Sequence, residues 1–114
     1  MDAKKPASLI RGVHHIGLTV NDMDATLKFF IEVLGYSLKS HVPADPSYAV
    51  SNGKSMITLW HANENARPFH RKKIVGLHHL ALRVSSEAAL NQLYDVISKY
   101  PGAKIEFGIE IMLL

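Results

Sequence analysis

The chain has 114 residues, 47% hydrophobic and 20% charged, with a formal net charge of +3. This is the balance of a globular chain that can bury a core, and it excludes the disordered and fibrous classes. The absence of cysteine excludes disulfides, thiol catalysis and Cys-ligated zinc. No apolar run approaches the roughly 20 residues of a membrane span, so a cytoplasmic protein with no membrane partner is the expectation.

In chain order, residues 1–10 carry Lys4 and Lys5 but no apolar stretch of signal-peptide length. Gly12 to Val20, GVHHIGLTV, then alternates in the manner of a half-buried strand. Ile16, Leu18 and Val20 share one face, and His15, Gly17 and Thr19 the other. His14 is placed on the opposite face from His15. A helix follows. Asn21 or Asp22 caps it, Asp24 sits in its first turn, and Leu27, Phe30, Ile31 and Leu34 form one apolar stripe before Gly35. Three strands are predicted next: Tyr36 to Val42, closed by Pro43 and Pro46; Tyr48 to Ser51; and Ser55 to Trp60. Asn52-Gly53 between the last two predicts a tight hairpin with both turn residues at positive φ.

Residues 61–75 read as a connecting loop. It holds Pro68 and the basic residues Arg67, Arg71, Lys72 and Lys73. Such a cluster suits an anionic ligand or nucleic acid. Without aromatic interleaving or a groove-reading motif, the plainer reading is a solvated connector and no nucleic-acid partner.

Gly76 to Val84, GLHHLALRV, repeats the first strand 64 residues later, with Gly, both histidines, Leu and Val at matching places. Leu80, Leu82 and Val84 form its apolar face, and His79, Ala81 and Arg83 the other. A second helix opens at Ser85 or Ser86 with the stripe Leu90, Leu93, Tyr94 and Ile97, and Pro101-Gly102 ends it. Lys104 to Phe107 predicts one more strand. The fold class is therefore α+β: a β-α-β-β-β module over 10–60, the loop 61–75, and an incomplete second module over 76–114, forming one domain over 1–114.

The segment VHHIGLTVNDMDATLKFFIEVLGY (13–36) resembles the opening of vicinal-oxygen-chelate proteins, the glyoxalase, bleomycin-resistance and extradiol-dioxygenase superfamily. GLHHLALRV (76–84) resembles the start of their second module. The resemblance covers roughly residues 10 to 107. It implies paired modules curving around a shared cavity that, in metal-dependent members, holds a divalent ion chelating substrate oxygens. His15 and His79 match the family's histidine ligands. Thr58 stands where several members carry a carboxylate ligand. A third ligand then has to come from Glu106, Glu110, a substrate or a second chain, with His61 as an alternative nitrogen ligand. Thr58, Trp60, His61 and Arg83 are the candidate ligand-binding residues; Trp60 equally suits packing, and Arg83 suits either an anionic substrate or a neighbouring carboxylate.

Two functions follow from the resemblance. One is a lyase, epimerase or dioxygenase using iron, manganese, nickel or zinc on a small oxygen-bearing substrate. The other is a non-catalytic small-molecule-binding protein, like the drug-sequestering members, with no metal. The apolar segment Ile109 to Leu114 leads to the expectation of a homodimer that buries it.

Overall fold

The alternation of Ile16, Leu18 and Val20 gives a strand, β1 (Ile16–Val20), whose burial follows the same period of two. In the computed structural model, which describes residues 6–108, the chain divides into two units at Ala62/Asn63. The C-terminal segment invoked for a homodimer, and Glu110, lie outside the described residues.

In the first unit, α1 (Met23–Glu32) follows β1. Asp22 caps it, its carboxylate accepting from the Ala25 amide at 3.0 Å. Gly35, at φ +75°, supplies the left-handed residue that ends the turn after the helix. Strands β2 (Ser37–Val42), β3 (Ser47–Ser51) and β4 (Met56–His61) form a meander, and β1 returns alongside β4 in parallel, giving the order β1-β4-β3-β2. The register shifts between Leu38 and Ser40 in edge strand β2.

One sheet face packs on α1. Val50, Ile57 and Leu59 are fully buried there, and Met23, Phe30 and Tyr36 complete the core. Phe30 meets Tyr36 edge to face at 5.2 Å. Full burial of each aliphatic side chain is worth roughly 1.5–3 kcal/mol, so these three residues anchor the unit. Of the expected helix stripe, Phe30 is buried and Leu27 and Leu34 are half-buried, whereas Ile31 is exposed. Tyr48 ties β3 to α1 by donating its hydroxyl to Asp24 at 2.6 Å.

The β3–β4 turn differs from the expected tight hairpin. In this turn only Gly53 has positive φ, at +85°, and among the described residues no non-glycine residue does. Asn52 instead turns its side chain inward, its Oδ1 accepting from the amides of Lys54 and Ser55, both at 2.9 Å. Side-chain capping replaces the backbone geometry that the Asn-Gly pair suggests.

The second unit contains α2 (Glu87–Ser98), capped by Ser86, whose hydroxyl oxygen accepts from the Ala89 amide at 3.0 Å. Leu90, Leu93 and Ile97 are half-buried, as are Leu80 and Val84, while Tyr94 of the expected stripe is exposed. The strands expected over 76–84 and 104–107 do not form: neither segment carries a β ladder among the described residues. Alternation gives a segment the right pattern, but a strand needs a partner's amides and carbonyls.

Candidate functional site

The sheet face opposite α1 is open within the first unit. Register places Gly17, Thr58, Ala49 and Ser40 in one cross-strand row, and Thr19, Trp60, Ser47 and Val42 in the next. These residues alternate with the buried Ile57, Leu59 and Val50, so period two puts them on the open side.

Two of the expected site residues meet there. The Trp60 indole N–H donates to Thr58 Oγ1 at 2.9 Å. The arrangement depends on Gly17: a Cβ at that position would stand 3.1 Å from Thr58 Oγ1 and 3.4 Å from Trp60 Nε1. Because Thr58 uses a lone pair for the indole, its own hydroxyl hydrogen remains available to an acceptor on a ligand. Trp60 keeps 39% of its surface exposed, leaving an apolar ring beside that hydroxyl. Ser47 is buried in the same row and donates to Asp45 Oδ2 at 2.9 Å. Alternation alone did not single out Gly17; the signal was its register partner Thr58 and the bulk of Trp60 two residues on.

His61 does not join this face. It falls in phase with Ile57 and Leu59, and its Nδ1 lies 2.7 Å from the Ala62 carbonyl oxygen, to which it donates. The strand's period of two separates it from Thr58 and Trp60.

The paired histidines depart from expectation. His14 and His15 do not point apart. Their rings meet edge to face at 5.1 Å, with the two Nδ1 atoms 2.8 Å apart. His78 and His79 repeat this in the second unit, with centroids at 5.1 Å, ring planes 81° apart and Nδ1 atoms again at 2.8 Å. Both pairs precede or lie outside any laddered strand, so the alternation that splits neighbours to opposite faces does not act on them. All four rings are exposed.

In the second unit, Phe69, His70, Arg71, Lys72 and Glu106 line a cleft of about 340 Å³. Arg71 grips Glu106 with both terminal nitrogens. That hydrogen bonding holds the Glu106 carboxyl below its usual range, with the nearby Lys72 and His78 charges adding to the effect, and raises Arg71 in turn. Glu106 is therefore paired with a guanidinium rather than standing as a free carboxylate. It also lies on no strand. Arg83 is exposed.

The divalent ion implied by the resemblance can be tested against these donors. The first unit offers His14 and His15 with a hydroxyl, Thr58, at the carboxylate position. The second offers His78 and His79 with its glutamate engaged. Among the described residues no three His, Asp or Glu side chains gather as a metal-holding group. Catalytic centres normally use three protein ligands, and neither unit by itself brings three together among its described residues.

A β-α-β-β-β unit with a parallel β1–β4 pair, followed by a second helix-bearing segment that repeats its His-His motif, defines an α+β protein of glyoxalase-like class. The Glyoxalase/Bleomycin resistance protein/Dioxygenase superfamily profile matches residues 12–110, and the chain belongs to that superfamily. It is similar to the glyoxylase/bleomycin resistance protein/dioxygenase domain from Frankia sp. EAN1pec, with 26% identity and a TM-score of 0.68 over 79% of this chain and 69% of that one. A glyoxalase family protein from Enterococcus faecalis matches at 21% identity and TM-score 0.58, over 75% of each chain. The lactoylglutathione lyase from Agrobacterium tumefaciens matches at 17% identity and TM-score 0.58, over 84% of this chain and 82% of that one. The last two likenesses concern the fold alone. No functionally curated protein matches the chain. Among the described residues no helix is long and apolar enough to cross a membrane.

Proposed function

We propose that the chain is a small-molecule-binding member of the superfamily, holding its ligand on the open sheet face of the first unit without a complete metal centre. One observation carries this reading. At the position where metal-dependent members bear a carboxylate, Thr58 presents a hydroxyl engaged by Trp60 over Gly17. A neutral hydroxyl is a poor ligand for a divalent ion but a good partner for a ligand carbonyl. The half-exposed indole beside it favours a flat, apolar ligand body.

The test is a chemical-shift titration against aromatic fragments bearing a carbonyl. Binding is expected to move the Gly17 and Thr58 amides and the Trp60 indole signal, and Trp60→Ala is expected to abolish the response. A parallel titration with Mn²⁺, Fe²⁺, Ni²⁺ and Zn²⁺ supplies the contrary outcome. A rise in melting temperature that His15→Ala removes would replace this reading with that of a metal-dependent lyase, epimerase or dioxygenase.

A further inference from the structure

The β3–β4 turn gathers, around the Asn52 carboxamide, the groups that an internal acyl transfer needs. The nucleophile is the Gly53 backbone nitrogen. Gly53 stands at φ +85° in open space, with no heavy atom within 4 Å of where a Cβ would lie, so nothing hinders that nitrogen from the side. Asn52 and Gly53 are both exposed, and water reaches them. Asn52 Oδ1 accepts the backbone amides of Lys54 and Ser55, each at 2.9 Å. When a nitrogen adds to Cγ, negative charge develops on that same oxygen. Donors already fixed on it stabilise the charge as an oxyanion hole does. The Gly53 N–H points at Ser51 Oγ, which accepts it at 3.1 Å and gives its proton a route to solvent.

We propose that Asn52 is a site of spontaneous covalent modification in the folded protein, by ring closure onto Gly53. The Gly53 nitrogen bonds to Asn52 Cγ, the Cγ–Nδ2 bond breaks, and the proton lost by Gly53 departs with Nδ2 as ammonia. Water then opens the resulting cyclic imide at one of its two carbonyls. Opening at Cγ leaves an aspartate. Opening at the backbone carbonyl leaves an isoaspartate, whose side-chain methylene has entered the main chain. Either product adds one negative charge, so the formal net charge falls from +3 to +2.

The turn treats the two products differently. An aspartate keeps an oxygen where the Lys54 and Ser55 amides point, and its charge strengthens both bonds. An isoaspartate adds an atom to the main-chain loop that the Asn52 amide closes on the Ser55 carbonyl at 3.3 Å. Ser55 also bonds the hydroxyl of Tyr36, a buried core residue, so the longer loop works against a tie to the core.

The test follows the full chain, native and urea-unfolded, in mildly alkaline buffer at physiological temperature, with each asparagine read by peptide mass spectrometry. In the native chain Asn52 is expected to convert while Asn21, Asn63, Asn65 and Asn91, none of which precedes a glycine, stay intact. Ion exchange then separates the converted protein by its added charge. The aspartyl species is expected to match Asn52→Asp and to melt with the unmodified chain. The isoaspartyl species is expected to melt lower, with shifted Tyr36 ring signals. Native Asn52 still intact once the unfolded chain has converted would overturn the proposal, because the turn would then shield the pair.

Discussion

Gly17 carries more consequence than its size suggests, because it is the floor on which Trp60 and Thr58 meet. Gly17→Ala is expected to displace the Thr58 hydroxyl and the Trp60 indole by a few tenths of an ångström, read as a shift of the indole signal. Thr58→Ala in the same background should reduce that shift, since removing the hydroxyl removes the tightest approach. Glu106 gives the prediction in pH. Its folded carboxyl titrates below the reference of 4.5, so its pairing with Arg71 adds stability above that pH and loses it as the solution is acidified through the lower, folded value. The difference in unfolding midpoint between wild type and Arg71→Met should therefore shrink below about pH 4.5. The pair is solvent-exposed, so the difference should be small and diminish further in high salt. At this scale the sequence displayed the repeated histidines and the Thr58 substitution. It concealed the ring-to-ring contact, since strand alternation was applied to His14 and His15, which stand before β1 begins at Ile16.

At the scale of elements, both helices were legible because cap, stripe and stop agreed. Asp22→Ala and Ser86→Ala are each expected to cost about 1 kcal/mol, but circular dichroism should show a larger helix loss for Ser86→Ala, because α2 has no fully buried residue to hold it. Ile57→Ala, at a position with no solvent exposure, should cost about 2–5 kcal/mol. Strands β2, β3 and β4 were legible to within a residue, whereas β1 begins at Ile16, four residues later than the alternating segment suggested. The segments 76–84 and 104–107 were not, for a physical reason: alternation reports which face a strand buries once it is paired, and says nothing about whether a partner is present. The Asn52 turn failed similarly. The dipeptide signals a turn, but Asn52 Oδ1 capping two amides selects a different geometry from the one the pair most often adopts.

On the scale of the whole molecule, the two units differ in how their stability is built. The first has a sheet, a helix and a set of fully buried side chains. The second, among its described residues, has one helix and only half-buried contacts. Hydrogen exchange should reflect this, with amides of β3 and β4 exchanging last and those of α2 well before them. Equal protection in both units would show that the second draws stability from contacts beyond those described within it. The family was recoverable from the repeat. The composition of the site was only half recoverable, because a histidine at the right place does not reveal whether a carboxylate elsewhere is free or, like Glu106, already held.

The parallel pairing of β1 with β4 also sets an order of events. Ile16 finds its sheet neighbour at Ile57, so the first strand of this unit in chain order has nothing to dock on until α1, β2, β3 and β4 have all followed. The meander of β2, β3 and β4 closes through short turns, whereas β1 must wait for a long loop to close. The segment bearing His14, His15 and Gly17 is therefore expected to be the last of the first unit to be fixed in place, which pulsed hydrogen exchange during refolding would check.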